Sequence, residues 1–125
     1  MSSTIKVLVV DDSALMRKLI PQMLESDPDI RVVGTAMDGA FALDRIARLR
    51  PDVVTLDLEM PRIDGLELLG RVKRRHQLSV IVVSAHSSEG AAKTFKALAM
   101  GAFDFVTKPK EVCALRGAVA ADLIS

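Results

Sequence analysis

IKVLVVDD, residues 5–12, runs from a nearly continuous apolar stretch straight into two acids, and DVVTLD, residues 52–57, ends in the same way on a third. Unbroken runs of Val, Ile and Leu are what a strand buried on both faces requires, as in a parallel sheet covered by helices on each side. If both runs are strands of one such sheet, Asp11, Asp12 and Asp57 converge at its carboxyl edge, where open α/β sheets hold their ligands. Three like charges at close range repel one another, so the arrangement demands something positive among them. Mg²⁺ meets that demand, because it takes oxygen ligands, keeps several waters and is commonly held by one or two carboxylates together with a phosphate. A single Asp at such a place can simply cap the next helix. Capping does not require adjacent carboxylates at 11 and 12.

Outward from these two runs, short apolar segments alternate with amphipathic ones. The pattern predicts strands near 5–10, 31–36, 52–57, 79–84 and 103–106, and helices near 13–26, 39–49, 64–75, 90–100 and 111–124. Five βα units with short links imply a parallel sheet with helices on both faces. The first helix is expected to bury Leu15, Met16, Leu19, Ile20, Met23 and Leu24, with a kink or an irregular turn at Pro21. The third opens on Asp64-Gly65-Leu66-Glu67, an acid followed three residues later by Glu as in a capping box. The last is expected to bury Val112, Leu115, Val119 and Leu123.

Size and charge narrow the function classes. At 125 residues the chain is read as one domain, 1–125, without repeats or linkers. A formal net charge of +1 argues against a nucleic-acid surface, and the clusters Arg71, Lys73, Arg74, Arg75 and Arg45, Arg48, Arg50 fall on predicted helices as solvated faces. No stretch has the length of a membrane span and the amino terminus lacks a signal-peptide core, so a cytoplasmic protein is expected. Cys113, the single cysteine, lies in an apolar pattern and reads as a small buried hydrophobe. With no Trp or Tyr and four Phe, stacking on bases or flavins has little to work with.

Two more strand ends carry polar groups: Ser84 in VIVVS (80–84), and Lys108, which follows FDFVT (103–107) and precedes Pro109. A metal-bound phosphoryl group would satisfy the whole edge, with Mg²⁺ bridging carboxylate and phosphoryl oxygens, Ser84 donating a hydrogen bond and Lys108 pairing with another oxygen. Asp57, alone on its strand, is the candidate nucleophile for an aspartyl phosphate.

VLVVDDSALMRKLI, DLEMPRIDGLELL, VIVVSA and GAFDFVTKP, in this order, resemble the receiver domain of two-component response regulators across nearly the whole chain. The resemblance implies a flavodoxin-like doubly wound sheet of strand order 2-1-3-4-5 and phosphorylation of Asp57 by a sensor histidine kinase, with Mg²⁺ as cofactor. It further implies that Asp12, Asp57 and the Glu59 backbone carbonyl hold the metal, and that Asp11 orients it through water. Ser84 and Lys108 would bind the phosphoryl oxygens, Phe105 would be the aromatic partner of Ser84 in a switch, and Lys108-Pro109 would be cis. Within the family, Glu59 and DFVTKP resemble the amino-terminal receiver of the chemotaxis protein-glutamate methylesterases. That implies a chemotaxis-type kinase and a carboxy-terminal effector domain or partner protein. No methylesterase chemistry belongs to these residues themselves, since they contain no G-x-S-x-G elbow; their own activity would be self-catalysed phosphoryl transfer and dephosphorylation. The alternatives are a stand-alone single-domain regulator and a Mg²⁺-dependent nuclease built on Asp57-Leu58-Glu59, which leaves Ser84 and Lys108 without a role.

Overall fold

The computed structural model describes residues 4–60, 65–85 and 88–108. Among these, five strands alternate with four helices: β1 (Ile5–Val10), α1 (Ala14–Leu24), β2 (Ile30–Ala36), α2 (Gly39–Leu49), β3 (Val53–Asp57), α3 (Gly65–Arg75), β4 (Ser79–Ala85), α4 (Ser88–Ala99) and β5 (Asp104–Lys108). Every strand pairing is parallel, as the residue pattern predicts, and the order is β2-β1-β3-β4-β5, the doubly wound arrangement that the family resemblance implies. The predicted helix at 111–124, Cys113, the Lys108-Pro109 bond and the capping acid Asp64 lie outside the described residues.

Alternation along the strands divides the core into two layers. Leu8, Val10, Val54, Leu56, Val80 and Val82 point to the face covered by α2, α3 and α4, meeting Ile46, Leu69 and Ala97. Val7, Val9, Val53, Ile81, Val83 and Val106 point the other way, onto Ile20 and Leu24 of α1. β1, β3 and β4 therefore show hydrophobes on both sides, which is why they read as unbroken apolar runs.

α1 corrects the sequence reading of its buried face. Its buried stripe is Ile20 and Leu24 with Met16 and Met23 packed against the core, whereas Leu15 and Leu19 are 62% and 41% exposed. Positions 16, 20, 23 and 24 lie on one side of a helix with 3.6 residues per turn; 15 and 19 fall to its flank. The helix also runs unbroken through Pro21. Ile20 and Leu24, both fully buried, anchor it on either side of the proline, and that packing holds the helical path despite the lost donor.

The ends of the helices follow from local chemistry. The Ser13 hydroxyl accepts from the Met16 N–H at 3.3 Å to start α1, and the Asp38 carboxylate accepts from the Phe41 N–H at 2.9 Å to start α2. α4 stops where Gly101 takes φ +107°, with its N–H donating to Leu98 and that of Ala102 to Ala97, the paired bonds of a Schellman motif.

Candidate functional site

The strands deliver their polar ends to one edge of the sheet. Asp11 follows β1 and its backbone N–H donates to the Ala36 carbonyl of β2 at 3.0 Å; Asp57 closes β3, aligned with Val83 of β4. One carboxylate oxygen from each of Asp11, Asp12 and Asp57 lies within 4.8 Å of the others. Asp11 and Asp57 are buried, each 1% exposed, and Asp12 faces solvent.

The two buried carboxylates are oriented by the same device. Asp11 Oδ1 accepts from the Ser13 N–H at 2.9 Å, and Asp57 Oδ1 accepts from the Glu59 N–H at 2.8 Å. Each is an Asx turn, in which the side chain binds its own backbone two residues on, so the strand end fixes the rotamer of its acid. The turn after Asp57 is held further by the Leu58 N–H, which donates to the Val83 carbonyl at 2.9 Å. On its other side sits Gly65, where a Cβ would lie 2.9 Å from the Leu58 Cα and 3.2 Å from the Asp57 carbonyl oxygen, so only glycine lets α3 approach this closely.

Three carboxylates form a donor set of hard oxygen, closed by protein on the Asp11 and Asp57 side and open to water at Asp12. That set suits a hard divalent cation that retains waters. It does not suit zinc, which prefers nitrogen and sulfur in a closed tetrahedron.

The remaining sequence-predicted residues take different places. Glu59 carries its carboxylate toward α4, where Oε2 lies 3.4 Å from Lys93 Nζ. Ser84 is at the same edge as the acids but on the opposite face of the sheet from Asp57, because it is in phase with Val80 and Val82 whereas Asp57 is aligned with Val83. Its hydroxyl, buried, lies 2.7 Å from the Thr94 hydroxyl of α4. Lys108 ends β5, aligned with Ala85, and its side chain lies outside the described atoms. Phe105, aligned with Val82 on the neighbouring strand, is 43% exposed.

Three neighbours of the edge went unread in the sequence. Arg17 Nη1 donates to the Asp11 carbonyl at 2.9 Å, and Lys93 and Thr94 make the α4 contacts just given. Only for Thr94 was there a signal: Gly90, Thr94 and Ala97 form the buried stripe of α4, and a lone hydroxyl among Gly and Ala needs a partner.

A family model for the response regulator receiver domain matches residues 7–120. The chain belongs to the response regulator receiver family. This receiver is 66% identical over 110 residues to a protein-glutamate methylesterase/protein-glutamine glutaminase of Koribacter versatilis and 54% identical over 118 residues to one of Symbiobacterium thermophilum, matches covering 88% and 94% of the chain. It spans 30% and 33% of the length of these two relatives. Among solved structures, the response regulator domain of Thermotoga maritima CheB superposes with a TM-score of 0.88 at 40% identity, covering 98% of each chain. A LuxR-family response regulator from Aurantimonas gives a TM-score of 0.86 at 28% identity, over 98% of this chain and 86% of that one.

Proposed function

We propose that this receiver accepts a phosphoryl group on Asp57 from the phosphohistidine of a chemotaxis-type sensor kinase and thereby controls a carboxy-terminal output domain, a protein-glutamate methylesterase. The observation that carries the reading is the cluster of Asp11, Asp12 and Asp57, with Asp57 buried and one of its oxygens fixed by the Glu59 N–H. The identity to methylesterases, whose length this receiver spans by about a third, supports the choice of output and a place for residues 1–125 as one regulatory unit of a longer cytoplasmic chain.

In the step itself, a carboxylate oxygen of Asp57 attacks phosphorus. The P–O bond forms as the P–N bond to the imidazole breaks, and the bonding pair leaves on the histidine nitrogen, which takes a proton from water. Mg²⁺, held by Asp12, Asp57 and the Glu59 carbonyl with Asp11 acting through water, would supply the positive charge that lets two anions meet. Asp11 and Asp57 contribute fixed orientation, since their Asx turns leave no rotamer search before attack. Lys108 would pair with one phosphoryl oxygen and Ser84 would donate to another. Phe105 would then turn inward beside Ser84, carrying the change to the surface.

Incubation with acetyl phosphate and Mg²⁺, read by intact mass, tests the proposal. The expected result is a gain of one phosphoryl group that is lost in acid and absent from Asp57→Asn. No gain, or a gain that persists in Asp57→Asn, overturns it.

A further inference from the structure

The phosphoacceptor reading leaves Ser84 with an unexplained commitment. Its hydroxyl is committed to α4 in this structure: it is buried and lies 2.7 Å from Thr94 Oγ1. Thr94 Oγ1 is in turn 2.9 Å from the Gly90 carbonyl oxygen, which can only accept. A hydroxyl has one proton to give. Thr94 therefore spends its proton on Gly90, and Ser84 is the donor in the bond between the two hydroxyls.

We propose that Thr94 is a positioning residue for phosphoryl binding: its hydroxyl holds the Ser84 proton in the resting state, and α4 is released from β4 when a phosphoryl oxygen on Asp57 takes that proton instead. The inference rests on the phosphoacceptor reading and adds a competitor to it. Ser84 can donate to Thr94 or to the phosphoryl group, never to both. Occupying Asp57 thus breaks the buried tie between β4 and α4. The break costs little at Thr94, which keeps its bond to Gly90, so the tie can open without stranding a donor. α4 bears the consequence at once. Its next residue, Phe95, is 74% exposed, and the preceding one, Lys93, grips Glu59 two residues beyond Asp57.

The linkage has a definite sign. A bond made only in the resting state opposes phosphoryl binding, so removing its acceptor must strengthen that binding. The test measures the affinity of the chain for beryllofluoride, a phosphoryl mimic, with Mg²⁺ present, in wild type, Thr94→Val, Thr94→Ser, Ser84→Ala and the double variant Ser84→Ala/Thr94→Val. Thr94→Val is expected to bind about fivefold more tightly, the change that one neutral hydrogen bond carries. Thr94→Ser, which keeps the hydroxyl, should return to the wild-type value. In the Ser84→Ala background the Thr94→Val change should have no effect, because there is no proton left to compete for. An unchanged affinity in Thr94→Val, or an equal change with and without Ser84, overturns the proposal while leaving the phosphoacceptor reading intact. Wild-type protein that binds no beryllofluoride overturns both. Should Thr94→Val fail to fold, amide exchange in Ser84→Ala decides: without the mimic, α4 should exchange as fast as wild-type α4 does with it, and wild-type protection in the variant overturns the proposal.

Discussion

The carboxyl ends of β3 and β4 lie side by side yet hold their polar groups in opposite ways. At β3, Asp57 is bound by the amide of Glu59, its turn is tied to Val83 and the close approach of Gly65 braces it from α3. Every one of those contacts uses backbone, which cannot exchange partners without unfolding the turn. At β4, Ser84 is held by a single hydroxyl on another element. On the proposal made above, a phosphoryl oxygen replaces that partner without disturbing any backbone bond. The first arrangement keeps the proposed phosphoacceptor in place, and the second leaves the proposed phosphoryl ligand a partner it can exchange.

The largest break in the contrast should come at Asp57. Asp57→Asn is expected to abolish phosphorylation by a small donor while leaving the domain folded, because the amide is not a nucleophile and one of three repelling charges is gone. A variant that took up acid-labile phosphate at the wild-type rate would sink the assignment. Next in size is the brace. In Gly65→Ala the new methyl would meet the Leu58 Cα at 2.9 Å, and backbone on both sides has no slack to yield. Overpacking of this kind costs about 2 kcal/mol, and urea unfolding should show it as a lower midpoint with an unchanged slope. A midpoint equal to wild type would mean that the turn carrying Asp57 is looser than its contacts imply.

A smaller effect probes the open side of the acid cluster. Mg²⁺ binds the folded state through groups that the unfolded chain does not assemble, so it should raise the melting temperature. At ten times its dissociation constant it contributes about 1.4 kcal/mol. Asp12→Ala, which removes the exposed member of the trio, should abolish most of that response. If millimolar Mg²⁺ leaves the wild-type melt unmoved, or Asp12→Ala responds like wild type, the cation is not held there.

The same contrast explains what could be read from the sequence. Strands buried on two faces write themselves as unbroken apolar runs, so β1 at 5–10 and the acids that follow it were legible without coordinates. β5 was displaced to 104–108 because Asp104 interrupts its pattern. Asp11, Asp12 and Asp57 were found together because each sits at a strand end, where topology alone decides proximity. α1 was misread, since a broad apolar surface does not show which edge of it meets the sheet, and Leu15 and Leu19 fell on the wrong side. The spacing of Gly90, Thr94 and Ala97 marks Thr94 as buried, but its pairing with Ser84, like the contact of Lys93, depends on how α4 sits over β4, a matter of tertiary register that local spacing does not encode.

The finest test compares two buried hydroxyls one strand apart. Thr55 lies two residues before Asp57 on the same face of β3, is 1% exposed, and its Oγ1 has no hydrogen-bond partner among the described residues. Ser84 is nearly as buried, at 3%, but its hydroxyl is paired with Thr94. An unpaired buried hydroxyl keeps its desolvation cost with nothing to offset it, whereas a paired one recovers that cost. Removing the two groups should therefore move stability in opposite directions. Thr55→Val keeps the shape and deletes the orphan, for an expected gain of about 1 kcal/mol, or about 4 °C in melting temperature for a domain of this size. Ser84→Ala deletes a satisfied donor and should lose about 1 kcal/mol by the same measure. Two shifts of the same sign would show that burial alone, and not pairing, sets the worth of these hydroxyls, and the distinction drawn between the ends of β3 and β4 would lose its energetic basis.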